Sequence, residues 1–401
     1  MTRLLIGLSV GSGLEGIDAA AVRCLGLALE MAPSVAAAVR VAFPPAVREA
    51  IRSAPRGSFV SQPDLVRNVA ETAVHAARQV LTQAGASPRD TFTVGLLEPS
   101  RPAVELAVPW PEIADRVAEQ TGLSVVHGFR HRDRAAGGAG HPITLASDYL
   151  LFRSPNQARL ILHLGAVSTI VYIPPDHKLS AVIGFEAGPG NQLLDALVYH
   201  GTRGKEPTDP GGKKAVQGRC FEPLLARWQE HPHLTRTPPK TLHAEAFGRS
   251  FLLAAFDAAR QLAAGLPDLL CTATHLVARS LGEAIRRWLP HPITPRQPLL
   301  ATGGGVRNGF LWQLVSQQLG GEALARSDAV GLPALSRKAA AAAVLAALTC
   351  DGVAGNLSVW TGATGGRLLG HLVPGDGRNW ARLAGWIADQ TSDYPRINRA
   401  A

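Results

Sequence analysis

The sequence predicts an α/β protein of two domains, and three observations carry that prediction. Apolar, strand-like runs ending in glycine turns recur along the chain, and stretches with helical spacing lie between them. The length of 401 residues also exceeds what one hydrophobic core usually covers. Apolar residues make up 46% and charged residues 18%, so sizeable cores can be buried and the chain is not disordered as a whole.

Taken in order, Leu4–Leu8 is the first strand and runs into Gly11-Ser12-Gly13-Leu14-Glu15-Gly16. Ile17–Val22 then reads as the returning strand of a hairpin. Leu160–Leu164 leads to Gly165 and is followed by a β-rich run at Ser168–Ile173; Ala181–Phe185 leads to Gly188-Pro189-Gly190-Asn191; Leu299–Thr302 leads to Gly303-Gly304-Gly305. Helices are predicted at Gln62–Ala84, Glu112–Thr121, Phe247–Ala264, Asp268–Trp288 and Ser336–Thr349, the last containing the Ala339–Ala343 run. Proline and glycine mark loops at Glu98–Pro111, Arg134–Pro142, Gly201–Arg219 and Leu289–Pro298. The 201–219 loop holds three of the six lysines but no GxxxxGK[ST], so it reads as a solvated loop. No internal sequence repeat is evident.

The net charge of +9 suggests a polyanion partner until its source is examined. Thirty-four of the forty bases are arginine, scattered without a basic run or interleaved aromatics, in a chain rich in Ala, Gly and Pro. That pattern is compositional bias, and no nucleic-acid face is expected. Cysteines 24, 220, 271 and 350 show no CxxC spacing, which argues against a zinc site or disulfide scaffold and for a reducing, cytoplasmic setting. The opening MTRLLIGLSVGSG is too short and glycine-broken for a signal peptide, and no uncharged apolar window reaches 18 residues. No membrane partner is expected.

The first glycines fit three templates. Gly11-x-Gly13-x-x-Gly16 is formally a dinucleotide fingerprint, but too little helix separates it from a second strand before Glu30. Gly7-x-Ser9-x-Gly11 is formally a nucleophile elbow, but only six residues precede it, with no earlier strand to supply an oxyanion donor. The third reading is a tight hairpin turn whose amides, with the Ser9 and Ser12 hydroxyls, face a phosphate. Further glycine turns at Gly165 and Gly303–Gly305 would clamp the remaining phosphates and the nucleoside. Sugar kinases of the actin/hexokinase superfamily use such a three-turn arrangement.

Read end to end, the chain resembles the anhydro-N-acetylmuramic acid kinases, which recycle a peptidoglycan sugar. Gly7-Leu8-Ser9-Val10-Gly11-Ser12-Gly13-Leu14-Glu15-Gly16-Ile17-Asp18-Ala19 corresponds to their opening motif. Val125–Asp133, Ala135–Pro142, Asp148 and Leu151-Phe152 resemble their substrate-side segment, and Gly184–Asn191 with Asp195 resembles their Gly-Phe-Asp-Thr-Gly-Pro-Gly-Asn motif. His231-Pro232, Pro238-Pro239-Lys240, Thr302–Gly305 with Asn308, Gly355-Asn356-Leu357 and Thr361-Gly362-Ala363 continue the match in order to about residue 375.

The resemblance implies a two-lobed actin-like ATPase (ribonuclease H-like) fold with its site in the interlobe cleft. Its parts would be an N-terminal lobe over 1–125, a C-terminal lobe over 126–375 and a helical tail over 376–401. It also implies ATP with Mg2+, hydrolytic opening of a 1,6-anhydro ring with phosphorylation of O6, and a homodimer. Glu186 aligns with the general base. Ser9, Gly11, Ser12, Gly13, Gly16, Asp18, Gly165, Gly303, Gly304, Gly305 and Asn308 fall on the nucleotide side, and Asp133, Asp148, Gly188 and Asn191 on the sugar side; no metal ligand is assigned.

Several polar positions depart from the pattern. Glu186 replaces an aspartate, Val10 and Gly13 replace serines, Glu15 an aspartate and Ala187 a threonine. Leu96-Leu97-Glu98-Pro99 stands in for a His-Gly-Gln-Thr segment, Ala244 falls where an arginine is expected, and Lys338 where a glutamate is usual. Glycines and apolar positions are kept. This is what a divergent kinase would show, the alternative being an impaired pseudokinase that binds nucleotide or sugar as a sensor or subunit. His231-x-His233 lacks a third metal ligand and its proline fits a turn; His127, His131 and His141 read as a polar wall of the sugar site. Trp110 and Trp312 read as core or cleft wall.

Overall fold

Two β-sheets with the same strand order organise the chain. The computed structural model describes residues 1–11, 15–53, 63–99, 108–175, 178–243, 245–290, 299–320 and 323–392; the expected site residues Ser12 and Gly13, and the departure at Ala244, lie outside them. The first compact unit comprises Met1–Phe152 with Gly331–Ala401, and the second Arg153–Val330.

In the first unit β1 (Thr2–Val10), β2 (Gly16–Leu25) and β3 (Ala32–Ala42) form an antiparallel meander; β4 (Thr91–Leu97) and β5 (Val125–His127) add in parallel beside β1. In the second, β6 (Arg159–Leu164), β7 (Val167–Ile173) and β8 (Ile183–Pro189) form the meander, with β9 (Leu299–Thr302) and β10 (Leu324–Arg326) parallel beside β6. The orders β3-β2-β1-β4-β5 and β8-β7-β6-β9-β10 are equivalent, and β11 (His371–Val373) extends the first sheet beyond β5. The expected α/β class and the first hairpin are both present. The topology is duplicated although the sequence shows no repeat, because hairpins and crossovers are set by turn positions and burial pattern rather than residue identity.

The boundaries expected at 125 and 375 move to 152/153 and 330/331. β5 pairs with β4, β11 pairs with β5, and the helix at Arg337–Cys350 packs across β1 and β4. Segment 331–375 therefore folds with the N-terminal part of the chain. The four cysteines are free, and no helix among the described residues is long and apolar enough to cross a membrane.

The first unit holds α1 (Pro45–Ser53), α2 (Pro63–Gln83), α3 (Trp110–Thr121), α4 (Phe129–Ala135) and α5 (Leu145–Phe152); of these, α2 and α3 match predicted helices to within a few residues, and α1, α4 and α5 are additional. The second holds α6 (Asn191–Gly201), α7 (Glu222–Gln229), α8 (Pro232–Thr235), α9 (Arg249–Gln261), α10 (Leu266–Trp288) and α11 (Gly309–Gln318). The chain ends through α12 (Arg337–Cys350), α13 (Ser358–Thr361) and α14 (Gly377–Ser392), the last three back in the first unit. On α14, Trp386 Nε1 donates to Asp351 at 3.0 Å, and Asp351 also accepts from Arg3 Nη1 at 2.5 Å and Nη2 at 2.8 Å.

The Ala339–Ala343 run is wholly buried in α12, and the sheet beneath it is cut to match. Gly7 and Gly95 are register partners on β1 and β4. A Cβ on Gly7 would lie 1.7 Å from the Ala339 carbonyl oxygen, and one on Gly95 2.1 Å from that of Ala342. Both obstacles are helix backbone and cannot swing aside. Gly7→Ala is therefore expected to cost about 2–3 kcal/mol. The thermal midpoint should fall by roughly 5–10 °C, and an unchanged melt would contradict this packing.

Candidate active site

Glu186 lies within β8, because that strand extends past its expected end at Phe185 to Pro189. The pairing shifts between Ser168↔Gly188 and Thr169↔Glu186, leaving Ala187 as the extra residue of a bulge. Such bulges re-aim neighbouring side chains. Glu186 is buried, its Oε2 accepts from Leu242 N–H at 2.6 Å, and its own N–H donates to the Lys240 carbonyl at 3.3 Å. The 240–242 segment thus covers the edge of the second sheet and holds the carboxylate by its backbone.

His233 and Lys240 complete this arrangement, and neither was singled out as functional by sequence. His233 Nε2 sits 2.9 Å from the Glu186 carbonyl; because a carbonyl only accepts, the ring carries its proton there. Lys240 Nζ donates to the carbonyls of His233 at 3.0 Å and Leu234 at 3.3 Å. Burial pulls Lys240 down to about 8, helped by Arg287 and Arg236. The sequence clues were the Pro238-Pro239-Lys240 match and the proline between the histidines.

Burial holds His233 neutral down to about 4, against its ordinary 6.5, with the nearby Lys240 charge adding to the effect. Between those values the unfolded chain binds more protons than the folded one, so stability is fully present above pH 6.5 and is lost as pH falls towards 4. Thermal midpoints measured across that window should fall more steeply for the wild type than for His233→Gln, which keeps a donor but no titrating ring. Parallel curves would contradict this account.

The glycine turns of the second unit meet at Leu164-Gly165. A Cβ on Gly303, whose φ is +91°, would lie 2.7 Å from the Leu164 carbonyl oxygen, and one on Gly190 2.5 Å from that of Gly165. Asn191 opens α6; its N–H donates to Gly165 O at 2.9 Å and its Nδ2 to Leu164 O at 3.2 Å. A Cβ on Gly304 would lie 3.6 Å from Asn191 Nδ2, and one on Gly305 3.3 Å from its Oδ1. Asn191, expected on the sugar side, therefore joins Gly165, Gly303, Gly304 and Gly305 in one backbone-lined knot. Gly188 packs against Leu234 and Ser280. Asn308 caps α11, its Oδ1 accepting from Leu311 N–H at 3.0 Å.

In the first unit, Ser9, Gly11 and Asp18 gather at one end of the hairpin. Ser9 pairs with Asp18 across β1 and β2. The Ser9 hydroxyl is buried and has no hydrogen-bond partner among the described residues. Asp18 takes a two-pronged bond from Arg40, at 2.5 Å from Nε and 2.9 Å from Nη2. Burial raises its pKa, and Arg40 and Lys338 partly offset that. Among the described residues, a Cβ on Gly11 would come within 4 Å of Asp18 Oδ2 alone, at 3.9 Å. Gly16 is tightly packed: a Cβ there would lie 2.1 Å from the Val41 carbonyl oxygen.

Both aspartates expected to contact sugar are fully buried and engaged within the protein. Asp133 Oδ1 accepts from Asn356 Nδ2 and Thr361 Oγ1, each at 2.6 Å, and Oδ2 from Gly140 N–H at 2.8 Å. Asp148 is paired through both oxygens with Arg337, Nε lying 2.7 Å from Oδ1. These bonds fix the 136–140 and 356–361 segments and join α5 to α12. Glu98, where the family motif departs, is a buried carboxylate that accepts from Gly128 N–H and stands 3.7 Å from His127 Nδ1. Burial alone would raise its pKa, but His127 and Arg130 more than offset this and hold it low. Around it, His127 and His131 each lie within ring contact of His371, at 5.8 Å and 5.5 Å.

A family model for anhydro-N-acetylmuramic acid kinase matches residues 3–375. The anhydro-N-acetylmuramic acid kinase of Acaryochloris marina is 33% identical over 383 residues, covering 92% of this chain and 99% of that protein. That of Chromobacterium violaceum is 35% identical over 382 residues, covering 93% and 100%. Among solved structures, the ROK hexokinase from Thermus thermophilus aligns with a TM-score of 0.36 and 15% identity, covering 86% of this chain and 98% of that one.

Proposed function

The chain belongs to the anhydro-N-acetylmuramic acid kinase family, and on that premise we propose that it opens the 1,6-anhydro ring of anhydro-N-acetylmuramic acid with water while phosphorylating O6 from ATP. The observation that carries this reading is the Glu186 carboxylate, presented at a strand bulge and gripped through Oε2 by the Leu242 N–H. A carboxylate so placed can take a proton from water as its oxygen bonds to C1. The C1–O6 bond breaks, O6 attacks the γ-phosphorus, and the bond to the β-phosphate oxygen breaks to release ADP.

Phosphoryl transfer depends mainly on positioning and charge stabilisation. In the second unit, the Gly165, Asn191 and Gly303–Gly305 knot offers backbone to a nucleotide at close range. In the first, the Gly11 backbone and the Ser9 hydroxyl, which has no hydrogen-bond partner among the described residues, offer donors to phosphate. No group of three His, Cys, Asp or Glu side chains among the described residues is arranged to hold a metal. The residues fit magnesium that arrives on the triphosphate and keeps much of its water, with Asp18 the carboxylate beside the Gly11 turn. Bound there, it would neutralise charge on the phosphates.

The test is incubation of the purified protein with magnesium, γ-labelled ATP and 1,6-anhydro-N-acetylmuramic acid. Label should pass to the sugar. ATP binding by calorimetry without labelled sugar would overturn the reading and favour a nucleotide-binding pseudokinase.

A further inference from the structure

The first turn of α12 lies level with a buried hydroxyl that makes no hydrogen bond among the described residues. Arg3, Gly7 and Ser9 share one face of β1, since side chains alternate along a strand. Arg3 bonds Asp351, just past the C-terminal end of α12, while Gly7 lies against Ala339 and Ala343. The helix therefore runs antiparallel to β1. Two further strand residues advance about 7 Å, which corresponds to four or five residues of helix. Ser9 is thereby carried to the level of Ser336–Lys338, the first turn.

Three features meet there. Ser336 holds the N-cap position of this 14-residue helix but makes no capping bond, and the turn is largely buried. The buried Ser9 hydroxyl has no hydrogen-bond partner among the described residues, and strand alternation puts it on the same face of β1 as Gly7, which packs against α12. Lys338 extends from the same turn, close enough to Asp18 and His141 to bias the ionisation of both. An uncapped helix start, a buried hydroxyl donor and a lysine together make an oxyanion seat.

We propose that Ser9, the first turn of α12 and Lys338 bind a phosphate oxyanion directly, with Lys338 supplying positive charge at the phosphate. The assignment rests on the kinase reading for its physiological ligand, the transferred phosphoryl group, but its chemistry can be tested without turnover. Lys338 reverses the sign of charge expected at its position, so this mode of phosphate binding is particular to this chain.

The experiment is calorimetric titration of the full chain with inorganic phosphate, then ATP and ADP, in magnesium-free buffer containing a chelator. The wild type should bind phosphate saturably and prefer ATP to ADP. Lys338→Met should weaken phosphate at least tenfold and erase that preference, Ser9→Ala should weaken it several-fold, and Lys338→Arg should retain it. Wild-type-like melting of Lys338→Met would show that the loss is local. Absence of phosphate binding by the wild type, or equal binding by Lys338→Met, overturns the assignment. If the wild type makes phosphosugar and Lys338→Met makes it equally well, this assignment fails while the kinase reading stands. If phosphate binding is lost in Lys338→Met but the wild type makes no phosphosugar, the seat stands and the kinase reading fails.

Discussion

Glu186→Gln is expected to lower phosphosugar formation by roughly 10²–10⁴-fold, the range that a positioned general base contributes, while leaving ATP affinity unchanged. Glutamine is nearly isosteric, and its amide oxygen can still accept from Leu242 N–H, so the strand bulge and the 240–242 cover should persist. What is lost is the capacity to take a proton. Glu186→Asp is the more informative companion. It restores the residue usual at this motif position, yet its shorter side chain cannot keep the 2.6 Å bond to Leu242 from the same backbone. A misplacement of about 1 Å can cost on the order of 10²-fold, so the aspartate variant should also be slow. Full activity in Glu186→Gln would remove this residue from the chemistry.

The largest expected effect on stability is at Arg337. Its guanidinium answers both oxygens of Asp148, which is fully buried on α5, and its Nη2 also donates to Thr144 Oγ1 at 2.5 Å. Arg337→Met strands a buried carboxylate, which typically costs about 3–5 kcal/mol. For a unit of this size the thermal midpoint should drop by roughly 6–20 °C. Adding Asp148→Asn should recover part of the loss, because the stranded charge and not the missing attraction is the main cost. A double variant no more stable than Arg337→Met would contradict this, as would a single variant that melts like the wild type.

The fold was legible where periodicity and glycine punctuation are strong. The hairpin from Leu4 to Val22, the strands before Gly165 and Gly303, and five helices all appear within a few residues of expectation. The domain boundaries were not legible, because α12 returns to the first sheet through the close approach of Ala339 to Gly7, and nothing local signals a contact across that sequence separation. Strand β3 was missed because Ala32–Ala42 is rich in alanine, which carries little strand signal.

The site was legible in part. Gly165 and Gly303–Gly305 come together, and Glu186 is buried among backbone donors that motif spacing cannot show. The internal partners of Asp133 and Asp148 were not legible, because motif spacing does not show which residues a carboxylate meets in the fold. Here both meet partners, Asn356 and Thr361 in one case and Arg337 in the other, that are distant in the chain. In the sequence Glu98 shows only as a departure from the motif; its bond to Gly128 depends on β4 and β5 being neighbours.

The most direct measurement of the central claim is the mass of the sugar product after incubation with ATP, magnesium and 1,6-anhydro-N-acetylmuramic acid. Coupled hydrolysis and phosphorylation predicts a product heavier than the substrate by one water and one phosphoryl group, formed by the wild type and not by Glu186→Gln. A phosphorylated sugar with its anhydro ring intact, or ATP turnover that leaves the sugar unchanged, would contradict it.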